Sequence, residues 1–228
     1  MTLTLYFHPF SSYCQKAVIA LDETATPFTG KVINLQDPAS VGELKAVWPL
    51  GKFPVLRDDA RNRSVAESSI IIEYLDHFYP GAVKLIPADP DLAHAVRAKD
   101  RFFDLYISDP MSKIVTDTFR PEGTNDPHGV AQSQDLLRKA YDILETGMAN
   151  KTYAMGEAFT MADIAAAPAL FYADLVMPLA DAHPHTAAYL DRLMKRPSFT
   201  RALREAQPFH TFFPYADRYM ASFNRLAV

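Results

Sequence analysis

The sequence predicts an α/β unit followed by an all-α unit, and three stretches carry that prediction. Thr2-Leu3-Thr4-Leu5-Tyr6-Phe7 alternates in part and is rich in strand-compatible side chains; His8-Pro9-Phe10 breaks it, and a helix with Cys14, Ala17, Val18 and Leu21 at helical spacing follows. Gly51-Lys52-Phe53-Pro54-Val55-Leu56 leads into a short apolar run, and Glu67-Ser68-Ser69 then opens a second apolar helix. Beyond Pro90 the pattern is helical throughout.

In order, strands are expected over 2–7, 31–35 and 55–57, with a short fourth at 64–65; Asp58-Asp59-Ala60-Arg61-Asn62 is the polar turn between the last two. The order is βαβ, then ββα. The closing helix, 67–78, carries Ile71, Tyr74, Leu75 and Phe78 on one face, and Pro80-Gly81 stops it. The first domain is therefore placed at 1–80, a linker punctuated by Pro87 and Pro90 at 81–90, and the helical domain at 91–228. In that domain, 91–119 reads as one helix or two, interrupted near Asp109-Pro110, and 130–149 as the next. Thr160 and Asp163 then form a capping box, with Phe159 and Ile164 at the flanking apolar positions. Pro168 is expected to kink that Ala-rich helix. Helices at 185–195 and 198–206 and an aromatic tail complete the chain.

Composition narrows the function. The 228 residues, 49% hydrophobic, suffice for a substantial core. A net charge of −4 with no basic stripe argues against a dedicated nucleic-acid binder. No apolar run approaches a membrane span. The first residues run directly into a strand, so no signal peptide is expected, and a single cysteine excludes an internal disulfide framework. The expectation is a soluble cytoplasmic protein. His183-Pro184-His185 sits at a helix start and is read as solvent-facing, with no metal site.

Proline cannot donate to a sheet ladder, so Pro54 is expected in a cis X-Pro bond at the mouth of an edge strand, with the Phe53 backbone turned outward. Glu67 and Ser68 stand where a helix N-terminus would offer unpaired N–H groups to a carboxylate. A free pairing edge beside an anion socket suits a small γ-linked peptide; a plain β-turn and helix cap is the other reading. Ser11 or Ser12 caps the first helix and places a hydroxyl in a positive local field.

Ser11-Ser12-Tyr13-Cys14-Gln15-Lys16, Gly51-Lys52-Phe53-Pro54, Glu67-Ser68 and Phe159-Thr160-Met161-Ala162-Asp163-Ile164-Ala165 together resemble the soluble glutathione transferases, in the family's order and across most of the chain. The resemblance implies a thioredoxin-like first domain and a homodimeric enzyme of detoxification, with glutathione as co-substrate and a small hydrophobic electrophile as partner. In serine-type members the working hydroxyl lies five residues before a basic residue, here Lys16, which selects Ser11, with Ser12 in reserve; Tyr6, near the end of the first strand, is the rival. Phe53 before Pro54 would pair through its main chain with the cysteinyl unit, Glu67 and Ser68 would take the γ-glutamyl end, and Lys52 would meet the glycyl carboxylate. The acceptor pocket would draw on Phe10, Phe102, Tyr106, Met111, Phe212 and Phe213.

Cys14 occupies the second position of what would be a redox Cys-x-x-Cys pair; with serine at the first, a dithiol cycle is not available, and Cys14 reads as a small buried hydrophobe. Ser-Ser-Tyr-Cys-Gln-Lys only partly echoes the Ser-Ser-Cys-Ser-Trp-Arg loop of the maleylacetoacetate isomerases, which leaves the class unassigned. Glutathione-dependent reduction or isomerisation, and a non-catalytic binding or assembly module, stay open beside conjugation.

Overall fold

A computed structural model describes residues 3–179 and 182–227. Thr2, expected in the first strand, lies outside the described residues. Strand β1 (Leu3–Phe7) leads into helix α1 (Ser12–Glu23), strand β2 (Thr29–Val32), helix α2 (Pro38–Val47), strands β3 (Val55–Asp58) and β4 (Arg63–Ala66), and helix α3 (Ser68–Phe78). The four strands form one sheet in the order β2-β1-β3-β4, with β1 and β2 parallel and the other neighbours antiparallel. Leu3, Leu5 and Phe7 point from β1 into the main core, shared with α1 and α3. Tyr6, on the other face, packs with Ile33, Leu44 and Val55 beside α2.

Three expectations change here. β2 lies over Thr29–Val32 instead of 31–35 because its pairing with β1 sets Phe7 opposite Val32. Helix α2 escaped the periodicity reading because it buries only Leu44; Asp37 caps it and Pro38 stands in its first turn. β3 is not an edge strand. It lies between β1 and β4, and Pro54 is tolerated because it precedes Val55, the first residue to pair. The Phe53–Pro54 bond is cis, as the sequence predicts.

The helical half contains α4 (Pro90–Phe103), α5 (Asp109–Asp117), α6 (Pro127–Met148), α7 (Met161–Val176), α8 (Pro184–Met194), α9 (Pro197–Ala206) and α10 (Ala216–Asn224). A π-turn over Asp104–Ser108 joins α4 to α5, and the Asp109 N–H returns to the Asp104 carbonyl. Pro110 has no N–H to continue an i→i−4 ladder, so the interruption falls just before it. Asp163 closes the capping box: it accepts the Thr160 N–H at 2.8 Å and also serves the Tyr189 hydroxyl at 2.6 Å. Helix α7 runs unbroken through Pro168.

Helix α1 is buried on every side from Cys14 to Leu21, because α7 and α9 cover the face that the sheet and α3 leave open. One of those buried residues is Lys16. Its ammonium lies 2.9 Å from Asp104 Oδ1 and Oδ2 and 3.0 Å from the Ser69 hydroxyl. It also lies 2.9 Å from Asp100 Oδ1, outside hydrogen-bond geometry. A buried charge is tolerated only when paired in this way. The lysine thus ties α1 to α3 and α4, and it fixes the wall of the cavity beside them.

Candidate active site

The loop before β3 and the N-terminus of α3 line a cavity of about 700 Å³ against α4. Lys52, Phe53, Pro54, Glu67 and Ser68, the five residues named from the sequence for peptide binding, all line it. Among the described residues no hydrogen bond engages the Phe53 backbone, whose N–H and C=O are free to pair with an extended ligand. Glu67 adopts φ 68° and makes no side-chain cap, so the N–H groups opening α3 have no capping acceptor from it. A non-glycine residue in this conformation is strained by about 1–3 kcal/mol. The gain is a helix N-terminus open to an anionic group.

The far wall is ionic. Arg101, half exposed, donates to Asp100 Oδ2 at 2.6 Å and Asp104 Oδ2 at 2.5 Å and also contacts Ser69, whose hydroxyl donates to Asp100 at 2.7 Å. Burial works against the Arg101 charge, but the Asp100 bond and the two carboxylates outweigh it and raise its pKa. Burial likewise raises Asp104 above the usual carboxylate range, with Lys16 pulling the other way. Tyr13, also on this wall, donates to Asp109 at 3.1 Å; burial and the Asp104 and Asp109 charges raise its pKa, so it stays a neutral donor. The sequence reading named none of Tyr13, Ser69, Asp100, Arg101 and Asp104 for the peptide site. The visible signal was Lys16, a charge set among the apolar positions Cys14, Ala17, Val18 and Leu21, which demands acidic partners if the helix is buried there.

A second cavity, of about 620 Å³, opens on the other side of Phe53, which lines both. Ser11, Phe10 and Phe212 line it with His8 and Phe209. Ser11 is the N-cap of α1, and its Oγ accepts the Cys14 N–H at 3.4 Å. Ser12 is the first residue of α1, and neither it nor Tyr6 lines either cavity. Tyr6 instead packs on the sheet under Lys31, 5.5 Å from its ring.

The proposed acceptor residues divide. Phe10 and Phe212 line the second cavity, and buried Phe213 backs it, 5.9 Å from Phe10 between ring centroids. Phe102, Tyr106 and Met111 line neither cavity. The π-turn shifts the helical phase between α4 and α5, leaving Tyr106 exposed beside Phe102 and turning Met111 into the core. Their helical spacing gave no sign of that shift.

Cys14 is fully buried, and burial pushes its thiol up to about 12, against the His8 N–H and the Ser11 side chain. It has neither the exposure nor the thiolate character of a reactive cysteine. Against the solvent-facing expectation, His183 is buried and held by Asp142 at 2.9 Å while His185 is exposed; among the described residues no three His, Cys, Asp or Glu side chains converge as metal ligands.

Family models agree with this geometry. Residues 5–82 match the glutathione S-transferase N-terminal domain and residues 127–192 the C-terminal domain. The chain belongs to the glutathione S-transferase family. A glutathione S-transferase of Hyoscyamus muticus is 28% identical over 219 residues, covering 91% of this chain and 100% of that protein. The crystal structure of a glutathione S-transferase from Methylobacillus flagellatus with glutathione bound is 28% identical, with a TM-score of 0.80 over 88% of this chain and 98% of that one. Another from Methylobacterium radiotolerans, in complex with glutathione sulfonate, is 29% identical, with a TM-score of 0.77 over 89% and 94%. Among the described residues no helix of this transferase is long and apolar enough to cross a membrane.

Proposed function

We propose that this transferase lays glutathione along Phe53 and the N-terminus of α3, holds its sulfur as thiolate at Ser11, and conjugates it to a small hydrophobic electrophile in the second cavity. The observation that carries this reading is Phe53 itself. It forms the partition between the two cavities, with an unpaired main chain at the polar one and Ser11 across it in the aromatic one. A thiolate there gains a hydroxyl donor and the positive end of α1 together. The fully buried Cys14 argues against a reductase cycle through the protein's own thiol. In this reading 1–80 is the first domain and 91–228 the helical domain, and each contributes residues to both cavities.

A homodimer belongs to the same proposal. Ile70 on α3, Leu92 on α4 and Leu105 in the π-turn are each about half exposed, and a second copy would cover them. One buried cysteine is in keeping with a reducing cytoplasm.

Steady-state kinetics of Ser11→Ala test the reading. Turnover is expected to fall roughly ten- to a thousand-fold, while glutathione binding survives because the Phe53 backbone and α3 are untouched. Full activity in Ser11→Ala, together with loss in Ser12→Ala or Tyr6→Phe, would move the working hydroxyl elsewhere.

A further inference from the structure

His8, in the loop after β1, lines the second cavity beside Ser11. Its ring is held from three directions. Nδ1 accepts the Phe10 N–H at 3.2 Å, Phe53 stacks on it at 6.3 Å and 27° between planes, and Phe209 meets it edge-on at 4.6 Å. With Nδ1 an acceptor, the neutral ring carries its hydrogen on Nε2. Half-burial lowers the His8 pKa, which keeps the ring neutral at physiological pH. Among the described residues no protein group accepts from Nε2. Phe10, Phe53, Phe209 and Phe212 have no hydrogen to donate; Asn34 and Gln36, which also line the cavity, carry amide N–H groups, and His8 is the donor whose ring Phe53 and Phe209 hold in place.

We propose that the His8 Nε2–H is a catalytic hydrogen-bond donor to the acceptor substrate, and that it tunes this cavity toward flat conjugated carbonyl compounds, whose reaction places negative charge on oxygen. The chemistry balances without a further reagent. The glutathione thiol loses its proton to solvent at Ser11. The sulfur lone pair forms a bond to the β-carbon, the C=C π pair shifts to give an enolate, and its oxygen accepts the Nε2 hydrogen bond. The α-carbon then takes a proton from water. The bond strengthens as charge builds on oxygen, which is the condition for it to lower the barrier. This inference rests on the thiolate lying at the Ser11 end of the cavity.

The test compares kcat/KM for benzylideneacetone, an enone, with that for benzyl iodide, which reacts at carbon and sheds charge onto iodide, a poor hydrogen-bond acceptor. In His8→Phe the enone-to-iodide ratio is expected to fall about ten- to a hundred-fold. In His8→Gln, whose side-chain N–H reaches the place of Nε2, the ratio should largely return. Losses common to both substrates, including any from the freed Phe10 N–H, cancel in the ratio. A ratio within about two-fold of wild type in His8→Phe, or a parallel loss on both electrophiles however large, overturns the role of His8. Ser11→Ala reports separately on the thiolate reading, since it should lower both rates and leave their ratio intact.

Discussion

Replacing Lys16 by methionine keeps the length of the side chain and removes its charge from the junction of α1, α3 and α4. Lys16 and Asp100 are each 1% exposed and Asp104 6%, and the ammonium sits 2.9 Å from both carboxylates. Removing one partner of a buried ion pair costs about 3–5 kcal/mol because the remaining charge is stranded. Here two carboxylates face each other with only the half-exposed Arg101 between them. That arginine recovers part of the loss, so Lys16→Met should cost about 3 kcal/mol, the lower end of that range. At about 2–4 °C per kcal/mol for a chain of this size, the midpoint should fall by about 6–12 °C. The deficit should also depend on pH. Burial already holds Asp104 above its ordinary 3.8, and losing the Lys16 charge pushes it further up. A carboxyl with a raised folded pKa contributes stability that is complete below its unfolded pKa and is lost as pH rises through the folded one. The deficit should therefore be large at neutral pH and shrink on acidification. Urea unfolding followed by circular dichroism across that range measures it, and adding Asp104→Leu to Lys16→Met should restore part of the stability. A deficit below about 1 kcal/mol at neutral pH, or one that ignores pH, would refute the reasoning.

Ser68→Ala should weaken glutathione binding about ten- to a hundred-fold by calorimetric titration, with far less change in the melting temperature of the free protein. A loss of stability without a loss of affinity would reduce Ser68 to a helix residue. Cys14→Ala should keep conjugation activity and cost about 1 kcal/mol for the small void; loss of activity with folding intact would make the buried sulfur a working thiol.

The parts of this fold legible in the sequence were those coded locally. Phe53-Pro54, the Thr160–Asp163 capping box and the α3 stripe each announce themselves within a few residues, and Lys52, Phe53, Pro54, Glu67 and Ser68, among the residues lining the first cavity, followed from two such motifs. Long-range coding hid the rest. Lys16 meets Asp100 and Asp104 some 84 and 88 positions along the chain, and no window of sequence holds both ends. Helix α2 carries too narrow an apolar face to register, although Asp37-Pro38 was a visible start signal. The π-turn at Asp104–Ser108 moved Phe102, Tyr106 and Met111 off the expected face, because a period of 3.6 residues carries no mark of a wider turn. His8 and Phe209 were invisible as cavity residues because each is assigned only by the other's position, 4.6 Å away across the fold.

The thiol pKa of bound glutathione tests the central claim most directly. Ultraviolet absorbance of the thiolate, followed against pH in wild type and Ser11→Ala at saturating glutathione, reads it without reference to any electrophile. A free thiol titrates near about 8.5. The wild-type complex should titrate clearly below that value, and Ser11→Ala should move it back up by about one unit or more, roughly 1.4 kcal/mol of lost thiolate stabilisation per unit. Identical titrations in the two proteins, or a wild-type complex that titrates like free glutathione, would contradict the assignment of Ser11.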